Sequence, residues 1–372
     1  MKILFLIRDL NIGGAQRQLT YLAQYLHQKG HEVHVAAFYA HGPFYEVLET
    51  AGVRVHSLNK RHRWDVVGFW SSFQKVLQKV NPDILHGYMP ESNLIVAMTK
   101  LFGPKRVKRV FGVRASSLDH SKPDWLEKLV IWIEGKMAGF ADLIIANSKA
   151  GAGHSLDKGF PKDRLKVVQN GTDIATYLPN PKRGASLKKT WGGGNQAKLI
   201  GMVARIDHFK GHTIFLRSAA HLLKSNKNLR FIIVGDGKSD LLQHLKQEAK
   251  TLGIQDYVVW AGRQSDTAAV YNALDVVCLP SLSTEGVPNV LIEALAVGVP
   301  VVASDVGDIK DIVKNYGWIV PPGNVEAFSL GILEALKSPL SSERRHLYIK
   351  RSYSIEQLGQ KTERLLEALC AA

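Results

Sequence analysis

Short apolar runs, separated by stretches long enough for a helix, recur along the whole chain, and this alternation restricts the fold more than any other feature. In the first half the runs are Ile3–Ile7, Val33–Phe38, Ile84–Tyr88, Val107–Val113, Leu143–Ala146 and Leu165–Val168. Between the first two, Ala15, Leu19, Leu22 and Leu26 recur at steps of 4, 3 and 4 and draw a single apolar stripe on a helix. Strand, helix, strand in that order predicts a parallel sheet. The second half repeats the scheme with Leu199–Ala204, Phe231–Val234, Val258–Ala261, Val276–Leu279, Val299–Ala303 and Trp318–Val320. The expected fold class is α/β, with two doubly wound, Rossmann-like domains.

Turn formers replace periodicity at Asn170-Gly-Thr-Asp173, at Pro179-Asn-Pro181 and at Gly192-Gly-Gly194. They place a hinge near residues 171–178 and divide the chain into 1–175, 176–352 and a C-terminal segment 353–372. In that segment Ile355, Leu358, Leu365, Leu366 and Leu369 mark an amphipathic helix, expected to pack back toward the first domain. Two domains suit 372 residues, because single cores stop growing at about 250–300. The triple glycine has no strand feeding a helix on either side, so it reads as a flexible loop rather than a phosphate loop.

The only cysteines are Cys278, inside an apolar run, and Cys370, which fits a reducing compartment and excludes a cysteine-built zinc site. The apolar start stops at Arg8-Asp9 without a small-residue cleavage site behind it, so it reads as a strand rather than a signal peptide. Even the greasy stretch from Leu129 to Ala146 is broken by Glu134, Lys136 and Asp142, and no uncharged window reaches the ~18 residues a membrane span needs. The expected location is the cytoplasm, at the inner face of the plasma membrane if the chain touches membrane at all.

The net charge is +15. Residues 1–175 hold 24 basic and 15 acidic side chains, against 24 and 18 in the remainder. The first-half positives cluster as Lys60-Arg61-His62-Arg63-Trp64 and Lys105-Arg106-Val107-Lys108-Arg109. Such clusters suit nucleic acid, anionic lipid or a phosphorylated substrate, and equally a solvated cationic face with no partner.

Open parallel sheets bind ligands past the carboxyl ends of their strands. The first such turn, Arg8-Asp-Leu-Asn-Ile-Gly13-Gly14-Ala-Gln16, runs into a helix. Paired glycines there let a ligand approach backbone N–H groups at the positive end of the helix dipole, or else serve a tight turn with φ > 0. The glycine spacing differs from the dinucleotide fingerprint, and no acidic residue follows the second strand to hold a ribose, which disfavours a nicotinamide dehydrogenase. In the second half, Arg205 and Lys210-Gly211 follow a strand end as a candidate diphosphate clamp or as ordinary surface cations.

The most informative passage runs from Ser281 to Pro300. Pro288 near a helix start, apolar Val290, Leu291, Ala294 and Leu295, then Gly298 and Pro300 describe a short buried helix. Glu293 falls among its apolar residues and needs a ligand or cation partner, or an ion pair within the domain. At ~1.5 Å per helical residue Glu285 and Glu293 would stand ~12 Å apart, beyond the ~5–9.5 Å of two-carboxylate glycoside hydrolysis. Gripping two ends of one extended ligand is the better reading, with the amides of Val287, Pro288 and Asn289 offering a phosphate site, Pro288 by position only.

Together, Gly13-Gly14, Asn170-Gly171-Thr-Asp173, Arg205 with Lys210-Gly211, Gly235-Asp-Gly237, Gly262-Arg263, and Glu285-x7-Glu293 followed by Ala-x-Ala-x-Gly-x-Pro resemble the retaining GT-B glycosyltransferases of family 4, in order and over nearly the whole chain. The resemblance implies two Rossmann-like domains around a cleft and transfer from a nucleotide-sugar without metal or other cofactor. The donor would be held chiefly by the C-terminal domain and the acceptor by the N-terminal one. It implies Arg205 and Lys210 at the donor diphosphate, Glu285 at the sugar hydroxyls, Glu293 at the ribose, Arg263 near the base, and Gly14 facing the phosphates. Gly286, Val287, Pro288 and Asn289 complete the donor side; Gly13, Arg114 and His120 are the acceptor-side candidates. Many relatives carry His where this chain has Arg114, which stays charged and would contact phosphate or sugar instead of acting as a base. Asp308, Lys310 and Asp311 stand where relatives often show Gly, Pro and Glu. His86, His120 and His154 are further polar candidates near strand ends or loops.

The function expected is a retaining transfer of sugar from a UDP- or GDP-sugar to a glycan, a polyprenyl-diphosphate-linked saccharide of surface polysaccharide (lipopolysaccharide or capsule) biosynthesis. The basic clusters are then left for an anionic membrane. Alternatives are a nucleotide-sugar epimerase or phosphorylase on the same architecture, or a nucleic-acid binder suggested by pI ≈ 9.6. Nucleic acid is not expected as a partner, since no aromatic-basic interleaving of the nucleic-acid modules occurs.

Overall fold

The computed structural model describes residues 1–62, 64–114, 125–192, 197–283 and 285–372, apart from the Glu127 side chain. Arg63, Thr284, His120 and the glycines Gly193 and Gly194 lie outside the described residues. The chain divides into two compact units, Met1–Gly171 with Ile355–Ala372, and Thr172–Ser354.

In the first unit the strands are Lys2–Asp9 (β1), Glu32–Tyr39 (β2), Arg54–Ser57 (β3), Ile84–Tyr88 (β4), Lys108–Val113 (β5), Leu143–Ala146 (β6) and Leu165–Val167 (β7). They form one sheet in the order β3-β2-β1-β4-β5-β6-β7, with parallel pairing throughout. Central β1 shows why. Ile3, Phe5 and Ile7 face one core and Leu4 and Leu6 the other, so a continuous apolar run satisfies both faces of a covered sheet. β3 was not among the apolar runs: Arg54-Val-His-Ser57 is an edge strand, with Arg54 and Ser57 exposed and Val55 and His56 half-buried.

The second unit contains Lys198–Val203 (β8), Leu229–Val234 (β9), Val258–Gly262 (β10), Val276–Leu279 (β11), Val301–Ser304 (β12) and Trp318–Val320 (β13). Their order is β10-β9-β8-β11-β12-β13, again parallel. Chain direction across the sheet reverses between β8 and β11 here, and between β1 and β4 in the first unit. Those are the switch points at which doubly wound sheets open to ligands.

The helix Ile355–Ala371 belongs to the first unit. Leu358 and Leu366 share a core with Leu22, Tyr25 and Leu26 of the helix Gly14–Gln28. Gly359 admits the Tyr25 ring, since a Cβ there would lie 2.2 Å from Tyr25 Cδ1. The passage between units is anchored on each side. Buried Gln18 donates from Nε2 to Gly171 O and accepts from Gly171 N, both at 2.8 Å. Thr172 N donates to Tyr353 O at 2.8 Å, and Thr172 bridges to Ser354, so the chain leaves and re-enters the second unit at neighbouring points.

Candidate active site

In the second unit, two turns meet across the β8/β11 switch point. After β8, Asp207 Oδ1 accepts the amides of Phe209 and Lys210, each at 2.9 Å, and reverses the chain. Gly211 then opens the helix His212–Leu223 at φ +77, and a Cβ there would stand 1.9 Å from Pro280 O, so the position admits only glycine. Leu282 N donates to Phe209 O at 2.7 Å and ties this turn to the one after β11. From the first turn Lys210 Nζ reaches Glu285 Oε1 at 2.5 Å, and from the second Ser281 Oγ donates to the same oxygen at 2.7 Å. A third turn, after β12, closes on Glu285. Asp308 N donates to Glu285 O at 3.2 Å, and Gly307, at φ +58, would put a Cβ 1.8 Å from that oxygen. With its backbone and Oε1 so held, Glu285 keeps Oε2 unbonded among the described residues, ready to accept from a hydroxyl.

The Arg205 guanidinium is already engaged in this structure: it is turned onto Asp207 Oδ2, with Nε at 3.1 Å and Nη2 at 3.0 Å, and the side chain is largely exposed. Each cation therefore rests on a carboxylate of its own unit. An exposed pair of that kind is held weakly, so Arg205 can exchange Asp207 for a phosphate oxygen at small cost.

The helix next to Glu285 is Asn289–Val297, with Pro288 as its N-cap and Gly298 at φ +86 ending it. Glu285 thus precedes the helix, and the ~12 Å separation that assumed helical rise between the two glutamates does not apply. Gly286, Val287 and Pro288 are buried, and Asn289 is half-buried. Glu293 is 4% exposed and accepts from the Tyr271 hydroxyl at 2.8 Å, a donor supplied from within its own unit. Arg263 stands apart: it follows Gly262 at the end of edge strand β10, exposed and without an ion pair among the described residues. At the start of the helix His212–Leu223, buried His212 has no hydrogen-bond partner at either ring nitrogen among the described residues, and burial pushes its pKa down to about 4.

In the first unit, Gly13 is extended at φ −161 and Gly14 starts the helix, so neither provides the positive φ of a tight turn. The space at Gly13 is filled by Gln16, whose Oε1 would lie 2.2 Å from a Cβ there, while Gln16 Nε2 donates to Asp9 Oδ1 at 3.1 Å. The glycines that do require a positive φ lie elsewhere, such as Gly42 at +118, packed against the backbone of Leu10 and Asn11. At the other side of the switch point, Arg8 Nη1 reaches Glu91 Oε1 at 3.4 Å. Arg114 follows β5, with its guanidinium 4.4 Å from the centre of the Tyr88 ring. His86 is fully buried, His154 is exposed on a helix, and His120 lies outside the described residues.

The basic clusters need correction. Arg109 is 1% exposed and spends its guanidinium on Thr99 Oγ1, Thr99 O, Val107 O and Pro104 O. Lys60 donates to Asp65 O and lies over the Phe69 ring. Neither is available to a partner, whereas Arg61, Lys105 and Arg106 are exposed. Sequence shows charge but not burial, so it could not separate them. It also missed Asp207, Ser281, Tyr271 and Gly307, which position the predicted residues; Gly307 alone had a signal, in Asp305-Val-Gly307.

Two doubly wound parallel-sheet units define the GT-B class of glycosyltransferase. Residues 186–354 match the family described as Glycosyl transferases group 1, and residues 12–176 that described as Glycosyltransferase Family 4. A Campylobacter jejuni protein, GalNAc-alpha-(1->4)-GalNAc-alpha-(1->3)-diNAcBac-PP-undecaprenol alpha-1,4-N-acetyl-D-galactosaminyltransferase, is 30% identical over 85% of this chain and 82% of its own length. The Escherichia coli UDP-Gal:alpha-D-GlcNAc-diphosphoundecaprenol alpha-1,3-galactosyltransferase is 25% identical over 69% of this chain and 67% of its own. Among solved structures, Anabaena HepE in complex with UDP-glucose superposes with a TM-score of 0.85 at 23% identity, covering 99% of this chain and 100% of that one. The chain belongs to the group 1, family 4 glycosyltransferases and is an enzyme of the hexosyltransferase type.

Proposed function

We propose that this enzyme transfers a hexose from a nucleoside-diphosphate sugar, UDP- or GDP-linked, to a polyprenyl-diphosphate-linked saccharide in surface polysaccharide synthesis. The observation that carries the donor half is the hold on Glu285: Lys210 and Ser281 occupy one carboxylate oxygen and leave the other for a sugar hydroxyl. The acceptor half is supported by the names of the Campylobacter jejuni and Escherichia coli relatives, both of which specify undecaprenyl-diphosphate-linked glycans.

Transfer breaks the bond from the anomeric carbon to the diphosphate oxygen, and the electron pair leaves with the phosphate. Lys210, Arg205 and the first amides of the helices His212–Leu223 and Asn289–Val297 would stabilise that charge in place of a metal. The acceptor oxygen bonds to the same face of the sugar and its proton passes to the departing phosphate, which gives retention without an enzyme nucleophile. Incubation with UDP- and GDP-sugars, with and without an undecaprenyl-diphosphate disaccharide and in EDTA, tests each part. The expected result is acceptor-dependent release of nucleotide, unaffected by EDTA, and an α-linked product by NMR from an α-linked donor. Equal release without acceptor would point to hydrolysis or epimerisation instead.

The surface of the first unit supports membrane docking as part of this reading. Among the described residues no helix is long and apolar enough to cross a bilayer. Trp64, Val66, Val67, Leu101 and Phe102 are exposed apolar side chains, and Trp70 and Phe102 bring two of the contributing helices together at 6.4 Å between ring centroids. With Arg61, Lys105 and Arg106 nearby in sequence, this surface suits anionic headgroups above and acyl chains below. Flotation with anionic liposomes should fall after Trp64→Ser, Phe102→Ser and Lys105→Ala are combined; equal flotation would remove the docking proposal.

A further inference from the structure

Glu363 and Glu367 stand four residues apart on the tail helix Ile355–Ala371 and so share one of its faces. His31 meets that face from the turn between the helix Gly14–Gln28 and β2. One imidazole nitrogen and one carboxylate oxygen from each glutamate lie within 4.8 Å of one another. All three residues belong to the first unit, although more than three hundred positions separate the histidine from the glutamates.

Two of the three side chains are already set in place. His31 Nε2 is 2.8 Å from Glu363 Oε1, and Glu363 Oε2 accepts from the Tyr25 hydroxyl at 3.3 Å. The imidazole is carried by a fixed turn, in which Gly30 takes φ +88 and His31 N donates to Leu26 O at 3.1 Å, and its Nδ1 is 3.3 Å from the Met1 nitrogen. The His31 and Glu363 side chains are 12% and 18% exposed, so a solute can reach them. Glu367 is exposed and makes no hydrogen bond or ion pair among the described residues. Carboxylates at this spacing repel each other along a helix. Glu356, on the same helix, is answered by Lys29 at 3.8 Å, but among the described residues no lysine or arginine pairs with Glu363 or Glu367. In a chain with a net charge of +15, two adjacent carboxylates without such a partner leave room for a cation from solution.

We propose that His31, Glu363 and Glu367 bind one Zn²⁺ ion, which clips the tail helix to the rest of the first unit. Zn²⁺ takes imidazole nitrogen and carboxylate oxygen at about 2.0–2.2 Å in a tetrahedron, which sets its ligand atoms about 3.4 Å apart. His31 Nε2 and Glu363 Oε1 reach that spacing by opening about half an ångström, the exposed Glu367 closes the third side, and water completes the fourth. Mg²⁺ and Ca²⁺ prefer oxygen-only sets with more ligands, so the imidazole selects against them. None of the residues offered for donor or acceptor is among the three. The ion is therefore structural, and sugar transfer that persists in EDTA is compatible with it.

The test uses the full chain, stripped with EDTA and freed of chelator, with Cys370→Ser in place so that the exposed thiol binds no metal. Calorimetric titration with ZnCl₂ should show one ion bound per chain. At a hundredfold excess over Kd, Zn²⁺ should raise Tm by about 5 °C, and MgCl₂ should not raise it. Glu367→Gln removes a ligand that touches nothing in the metal-free fold. It should leave the metal-free Tm at or slightly above that of the parent chain, yet weaken Zn²⁺ by at least about tenfold. His31→Gln should weaken it as much; if that variant does not fold, Glu367→Gln carries the test alone. Absence of Zn²⁺ binding, an affinity unchanged in Glu367→Gln, or an equal rise in Tm with Mg²⁺ overturns the site.

Discussion

The Tyr271 hydroxyl donates to Glu293 Oε2 at 2.8 Å, and both side chains are nearly closed to solvent. A carboxylate in the middle of an apolar helix is tolerable because donors are brought to it. Tyr271→Phe removes this donor without leaving a large void. It should cost about 1–3 kcal/mol in stability by urea unfolding. If Glu293 also holds the donor ribose, Tyr271→Phe should raise KM for the nucleotide-sugar more than it lowers kcat.

Lys210 and Glu285 form one unit across the switch point, so their losses should not add. Lys210→Ala and Glu285→Ala should each lower kcat by at least about 10²-fold, the scale of losing one preorganised electrostatic contact. The double variant should be little worse than either single one. Additive losses in a double-mutant cycle would separate their roles.

Glu134 gives a pH signature. It is 5% exposed, receives Asn93 Nδ2 at 2.6 Å, and burial raises its pKa from 4.5 to about 7, with Asn93 and Lys158 opposing and Glu91 adding to the rise. The folded chain therefore holds this proton more tightly than the unfolded one. Stability gains from it below pH 4.5 and loses it as pH climbs toward 7, for a total of about 3 kcal/mol. Glu134→Gln should raise Tm at pH 8 and converge with wild type near pH 4.5. Equal curves at both pH values would contradict the assignment.

Two glycines of similar appearance in sequence should respond oppositely to alanine. Gly13→Ala meets only the movable end of Gln16 in an extended backbone and should leave Tm within a few degrees of wild type. Gly211→Ala drives a Cβ into the Pro280 carbonyl from a left-handed conformation, and should destabilise the second unit by several kcal/mol or prevent its folding. Thermal melts of the two variants make the comparison.

Much of the framework was legible because buried parallel strands must be apolar on both faces. β4, β6, β11 and the Ile3–Ile7 centre of β1 stand in the sequence as runs with nothing polar to interrupt them except His86 and Gly87 on β4. β3 was hidden for the opposite reason, since an edge strand is free to be Arg-Val-His-Ser. At the site, Glu285 and Glu293 stood out by spacing, whereas their partners did not. Asp207, Ser281 and Tyr271 act through contacts made by chain reversals, and no local pattern marks a hydroxyl that will meet a glutamate 22 positions away. Arg109 and Lys60 failed in the other direction, because a basic cluster reads the same whether its members face water or a carbonyl.

The tail helix makes the first unit discontinuous along the chain. On a ribosome, Leu22, Tyr25 and Leu26 emerge more than three hundred residues before Leu358 and Leu366, which share their core. The second unit, continuous from Thr172 to Ser354, can complete its sheet before the first can close its last seam. A chain terminated before Ile355 would then display an unshielded greasy stripe beside an otherwise finished sheet, which is the kind of surface that quality-control chaperones and proteases act on. The helix Ile355–Ala371 thus doubles as a signal that the intervening second unit has been made, in a unit whose first strand emerged more than three hundred residues earlier.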